Sequence, residues 1–231
     1  LKLLAVDTTS RGCSAALLVD GQVTERFELA PRGHTRLLMP MVRALLAEAG
    51  LAVSDLDALG FACGPGSFTG LRIATGVVQG LAWGAGLPVV AVSSLQALAL
   101  QSAEHSGAPE GTGVAVAFDA RMDEVYWGCF AMRDGWPEPL AAERVCAPEK
   151  VSLPDVAGPW QGAGDGWMLE TRMPEPVISA MSRIDDDMVP RAAQVARLAA
   201  RGYQNGLQVT AEQARPVYVR DEITWQKLPG R

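Results

Sequence analysis

Cys63-Gly64-Pro65-Gly66-Ser67-Phe68-Thr69-Gly70-Leu71-Arg72 runs on through Ile73-Ala74-Thr75-Gly76-Val77-Val78-Gln79-Gly80-Leu81-Ala82-Trp83. The proline and glycines mark a tight loop, and Ser67 or Thr69 can cap the helix that follows. A surface helix normally keeps one charged face, yet no Asp, Glu, Lys or Arg occurs from Ile73 to Ala103. Whatever covers this helix is therefore expected to cover most of it. Gly76, Gly80 and Gly84 recur every fourth residue and form a smooth groove along one helix face. Either the chain's own sheet or another subunit can fill that groove, and the missing charge favours a subunit.

The loop fits none of the common phosphate or nucleophile motifs. No lysine stands near Gly70, so it is not a Walker loop. The third glycine interval is wrong for a dinucleotide fingerprint, and no carboxylate follows about twenty residues on. Ser67 is not centred in Gly-x-Ser-x-Gly, and His34 and His105 are the only histidines, which leaves little for hydrolase chemistry. An anion or partner contact at the helix start stays open beside a purely structural turn.

Upstream, Leu3–Thr8 and Cys13–Val19 read as short strands, and Asp20-Gly21 signals a two-residue hairpin into Gln22–Phe27. Leu38, Met41, Val42, Leu45, Leu46 and Ala49 then recur at helical spacing up to Gly50, with Pro40 expected in or near the first turn. A strand at Ala58–Cys63, the glycine loop and its helix, a strand at Val89–Val92 and a helix from about Leu95 to Glu104 complete the order βββαβαβα. Residues 106–111 read as a linker. New strands at Val114–Phe118 and Glu124–Met132 suggest a degenerate repeat, so two α/β lobes are expected, 1–105 and a smaller 112–231. Proline and glycine punctuate the second half, where loops should dominate until a helix at Ala192–Tyr203. Arg215–Arg220 reads as a short strand, and Trp225 lies on a C-terminal tail.

The 231 residues are 48% hydrophobic with a net charge of -6, enough apolar content for one large core or two modest ones. That acidic balance, without a basic run, predicts only weak, nonspecific RNA binding by the chain alone. Cys13, Cys63, Cys129 and Cys146 are scattered with no Cys-x-x-Cys pair, which reads as packed, reduced thiols rather than a zinc site. The N-terminus lacks the pattern of a secretory signal, and Gly84–Pro88 breaks the uncharged stretch, so a cytoplasmic protein without a membrane span is expected. Asp7-Thr8-Thr9 at one strand end and Asp119-Ala120-Arg121 at the equivalent place of the second lobe could face a nucleotide phosphate across a cleft. An Asp at a strand end more often forms a turn. His34 beside Thr35 fits a helix start better than a metal site, since no second ligand follows at i+4.

Leu4-Ala5-Val6-Asp7-Thr8-Thr9, Cys13–Leu17, His34-Thr35, Gly64–Ile73, Asp119-Ala120-Arg121 with Glu124-Val125-Tyr126, and Pro216–Arg220 together resemble the bacterial TsaB (YeaZ) family, related to the glycoproteases. The resemblance runs from Leu3 to Leu228, and Gly64–Ile73 is its specific part. It implies an actin-like (ASKHA, RNase H-like) fold and a role in forming threonylcarbamoyladenosine at position 37 of tRNAs that read codons starting with A. It further implies a TsaD-like catalytic paralogue and a TsaE-like ATPase as partners, contact with tRNA through the complex only, and a homodimer when alone. No cofactor is required, and weak ATP or ADP binding stays open.

The catalytic relative carries a His-x-x-x-His metal pair whose positions fall, by spacing, on Ser94 and Leu98 here. Leucine has no donor atom and serine is a poor ligand, so a non-catalytic scaffold is expected. A glycoprotease-type metallopeptidase and a small actin-like kinase are the alternatives. The expected partner surface comprises Leu38, Met41, Val42 and Leu45 on the first helix with Ile73, Gly76, Val77, Gly80, Trp83 and Gly84 on the glycine helix.

Overall fold

A computed structural model describes residues 1–156 and 158–219. The first half contains β1 (Lys2–Asp7), β2 (Gly12–Val19), β3 (Gln22–Leu29), α1 (His34–Ala49), β4 (Ala58–Gly64), α2 (Phe68–Ala85), β5 (Val89–Ser93) and α3 (Ser94–Ser106). The second contains β6 (Gly113–Asp119), β7 (Val125–Arg133), β8 (Trp136–Pro139), β9 (Arg144–Cys146), β10 (Trp160–Ala163), α4 (Glu175–Ala180), β11 (Met181–Asp185) and α5 (Ala192–Gln204). The order βββαβαβα stands as read, and Asp20 and Gly21 both take positive φ, 48° and 86°, as the hairpin turn requires.

The first sheet has the order β3-β2-β1-β4-β5, antiparallel through β1 and parallel beyond it. The second, read from β8, has β8-β7-β6-β10-β11 with the same alternation of directions, and β9 pairs β7 outside that path. Two mixed sheets of this order are the actin-like, RNase H-like arrangement.

Strand alternation sorts the core into layers. Leu3 and Ala5 of β1 face α5, while Leu4 and Val6 face α1 and α2. In β6, Val114, Val116 and Phe118 point the same way as α3, while Ala115 and Ala117 meet Trp127 and Trp167 on the far side. Two helices thus fill the space between the sheets, and each crosses to the other half: α3 packs on β6 and β7, and α5 on β1, β2 and β4. Gly60 admits α5, because a Cβ there would lie 2.7 Å from the Cβ of Ala199. The sheets divide the chain near residues 106–112, and packing crosses that division twice. Arg191, just before α5, and Arg197 and Arg201 within it pair with Glu25, Glu104 and Glu138, on three different elements.

Three readings need correction. Pro40 is the seventh residue of α1, not part of its first turn. The cost is tolerated because Pro40 and Arg36 are exposed, so water can solvate the Arg36 carbonyl that loses its donor. The stretch between β7 and α5, read as loop, also holds β8 to β11 and α4 among its prolines and glycines. These strands are short, three to five residues, too brief for period-2 alternation to register. Residues 215–219 do not form a strand, although the Val217 N–H donates to the Cys63 carbonyl at 2.7 Å. Arg220, Trp225 and the tail lie outside the described residues.

Candidate functional site

A cleft of about 1190 Å3 opens between the two halves. The turn after β1, the start of α1, the glycine loop and first turn of α2, and residues 217–219 form one wall. Phe118–Arg121, Tyr126 and Asp165 form the other.

The turn after β1 is built to hold the glycine loop. The Asp7 Oδ1 accepts from the Thr9 N–H at 2.8 Å and the Thr9 hydroxyl at 2.7 Å, a tight Asx turn. Thr8 donates its hydroxyl to the Gly70 carbonyl at 2.7 Å, and the Ser67 N–H donates to the Thr9 carbonyl at 2.7 Å. Side chains are excluded there, since a Cβ on Gly66 would lie 2.5 Å from the Thr9 carbonyl oxygen and one on Gly70 only 1.8 Å from that of Thr8. Ser67 caps α2 by accepting from the Gly70 N–H at 3.3 Å. His34, buried at the first position of α1, places Nε2 2.9 Å from the Ser10 carbonyl and 3.1 Å from that of Gly12. With two carbonyl partners Nε2 carries the proton and donates. His34 thus fixes the helix start to the β1–β2 turn.

The candidate nucleotide-facing residues separate accordingly. Asp7 and Thr8 are buried and do not line the cleft; they brace the glycine loop from behind. Thr9, Asp119 and Arg121 do line it. Arg121 Nη1 lies 3.2 Å from the Asp119 Oδ2, and the Asp119 N–H donates to the Asp165 Oδ1 at 2.9 Å. Asp165 was not anticipated, because its glycine-rich surroundings read only as loop. Burial holds its carboxyl above the usual range, with the Asp119 N–H opposing and the Asp119 carboxylate adding to the effect. Arg11 was missed too; it donates to the carboxylate and carbonyl of Asp187, a pairing between residues 176 apart that no local pattern announces.

Asp7 Oδ2 has no partner among the described residues, and burial raises the Asp7 pKa from 3.8 to about 6 against the Thr9 hydrogen bonds and His34, with Glu25 raising it further. A carboxyl raised in the folded state binds its proton more tightly there than in the unfolded chain. Its contribution to stability is full below pH 3.8 and is lost as pH rises through about 6. The shift corresponds to about 3 kcal/mol. We expect Asp7→Asn to remove that decline, so the gap between variant and wild-type stability should change between pH 4 and 7 in urea titrations. A pH-independent gap would show that Asp7 does not titrate there.

Ser94 and Leu98 sit one turn apart on α3, both fully buried, with Leu98 in the core between the sheets. Leucine offers no donor atom and a serine hydroxyl is a poor ligand, so the two do not fit a histidine-type metal pair. Next to them the Ser93 hydroxyl donates to Glu143, whose carboxyl burial holds above the usual range. Burial likewise pushes the Cys13 thiol to about 11 and those of Cys63 and Cys129 to about 12, so they pack as apolar groups.

The expected partner surface also divides. Leu38, Val42 and Leu45 are buried against the chain's own first sheet and present nothing to a partner. A wide apolar stripe on α1 is what covering a sheet face requires. Met41, Ile73 and Val77 are partly exposed, Gly76, Gly80 and Gly84 are exposed, and Trp83 is 68% exposed. A Cβ on any of the three glycines would meet nothing within 4 Å, so no described residue fills the groove.

The fold and this cleft define an actin-like protein with a glycine loop locked between its first strand and second helix. The family model described as "TsaD: tRNA N6-adenosine threonylcarbamoyltransferase" matches residues 27–225. The tRNA threonylcarbamoyladenosine biosynthesis protein TsaB of Escherichia coli is 38% identical over 234 residues, covering all of both chains. That of Haemophilus influenzae is 38% identical, covering all of this chain and 98% of its own. The solved structure of YeaZ from Pseudomonas aeruginosa superposes with a TM-score of 0.88 at 46% identity, over 94% of this chain and 99% of that one. The chain belongs to the TsaB (YeaZ) family of tRNA threonylcarbamoyladenosine biosynthesis proteins.

Proposed function

We propose that this chain is the non-catalytic, activating subunit of the complex that adds a threonylcarbamoyl group to adenosine 37 of tRNAs reading codons that start with A. It binds a TsaD-like catalytic paralogue, works beside a TsaE-like ATPase, and meets tRNA through that assembly, in the cytoplasm. The observation that carries the reading is the bare glycine groove of α2 flanked by exposed Trp83. Exposed apolar surface of this kind marks association. The groove, with Met41, Ile73 and Val77 beside it, is the docking surface, and in the absence of the paralogue it pairs with a second copy of itself. Ser94 and Leu98 leave a peptidase without its metal donors. The cleft requires no cofactor, although its size admits weak ATP or ADP binding. No helix among the described residues is long and apolar enough to cross a membrane.

Reconstitution tests this reading. The chain alone should show no peptidase or ATPase turnover, should co-purify with the TsaD-like paralogue, and should be required with it for threonylcarbamoyladenosine formation in tRNA. Modification at full rate without the chain, or robust turnover by the chain alone, would overturn it.

A further inference from the structure

Two aromatic side chains stand at the mouth of the cleft. Phe68, the first residue of α2, is 50% exposed, and Tyr218 is 41% exposed with its ring centroid 5.5 Å from that of Phe68 and the planes tilted by 41°. The Arg72 guanidinium lies 3.8 Å over the Phe68 ring. An arginine and two aromatic rings held together at a water-facing rim leave about half of each ring exposed as stacking surface.

Charge makes the wall selective. Of the cations that line the cleft, Arg11 pairs with Asp187 and Arg121 with Asp119, while Arg32 has no carboxylate partner among the described residues. Arg72, beside the cleft, has none either. Residues 29–47 and 58–103 contain no Asp or Glu, so this wall is locally positive in a chain of net charge -6. The facing wall carries Asp119 and Asp165, which repel phosphate and confine it to the arginine side. At about 1190 Å3 the cleft exceeds the roughly 300–1,000 Å3 usual for a small-molecule pocket, which suits a stretch of strand better than a mononucleotide.

We propose that the mouth of the cleft is a platform for single-stranded RNA, with an unstacked base against Tyr218 and Phe68 and its flanking phosphates on Arg32 and Arg72. Unpaired bases in RNA loops are recognised by stacking on aromatic rings and arginine planes. The platform rests on the proposed role in tRNA modification and names the part of the tRNA this subunit holds. Two unpaired arginines supply little counterion release, so binding by the chain alone is weak.

The test titrates the full chain into a fluorescently labelled, unstructured seven-nucleotide RNA at low salt, read by anisotropy. We expect a Kd on the order of 10⁻⁴ M. Tyr218→Ala should weaken binding roughly 5- to 100-fold, the range of one lost base stack, while Tyr218→Phe retains it. Arg32→Glu should weaken binding and flatten its salt dependence, and Arg43→Glu, farther along α1, should change neither. No binding, equal affinity for AMP, displacement by a polyglutamate peptide, or indifference to Tyr218→Ala in a chain that still folds would each overturn the platform. In the reconstituted assembly Tyr218→Ala should raise KM for tRNA and leave kcat unchanged. An unchanged KM with wild-type modification intact would refute the platform alone, whereas failure of the wild-type chain to support modification would refute the scaffold role.

Discussion

Gly70→Ala should yield little or no stably folded protein. The added methyl would lie 1.8 Å from the Thr8 carbonyl oxygen, well inside contact distance, and the atom it meets is backbone. Neither partner can yield, since the Thr8 hydroxyl holds the Gly70 carbonyl at 2.7 Å and the Asp7 turn fixes Thr8 from the other side. Overpacking a well-filled core costs about 1–3 kcal/mol and more where backbone must move, so a loss of at least ~3 kcal/mol is expected, a large part of a domain's stability. Gly76→Ala, Gly80→Ala and Gly84→Ala should do the reverse. Open space surrounds these three glycines, and alanine is favoured over glycine in a helix by about 0.5–1 kcal/mol. Urea denaturation of the four variants decides the matter. Similar losses at all four would mean that α2 is packed on every side.

Gly80→Arg should separate assembly from folding. The groove at Gly80 is open in the isolated chain, so the arginine is accommodated and melting followed by circular dichroism should be unchanged or slightly raised. At an interface the same side chain brings bulk and an unpaired charge into apolar surroundings, a cost of several kcal/mol. The proposed homodimer and the proposed complex with a catalytic paralogue should therefore both weaken by about 100-fold or more, measured by sedimentation and by pull-down. Loss of both is expected because the self-complementary contact and the heterodimeric one are proposed to share this surface. An unfolded variant would place the groove in the protein's own packing. A folded variant with both assemblies intact would place the interface elsewhere.

The uncharged run from Ile73 to Ala103 shows how a single sequence signal can have two causes. In α3 it reflects burial between two sheets, with Leu95, Ala97, Leu98 and Ala99 all at 0% exposure. In α2 it reflects one covered face and one bare face, which composition alone cannot tell apart. The apolar positions Leu38, Val42 and Leu45 misled in the opposite direction, since a helix that covers a sheet and a helix that meets a partner show the same periodicity. Arg11 and Asp165 carried no usable signal, because each is placed at the cleft by partners far away in sequence, and Tyr218 was legible only as part of the Pro216–Arg220 segment, not as a cleft residue.

The sequence by itself determined the opening βββαβαβα order, the hairpin at Asp20-Gly21, a capped helix start at Ser67 or Thr69 and the family, because strand alternation, turn chemistry and capping act within a few residues. That Ser94 and Leu98 are not a histidine pair is likewise read from residue identity alone. Only the tertiary structure decided that Asp7 and Thr8 support the glycine loop instead of facing the cleft, and that the described residues leave the glycine groove bare. Those outcomes depend on how closely β1 approaches α2 and on which helix covers which sheet, distances fixed by packing between halves that are remote along the chain.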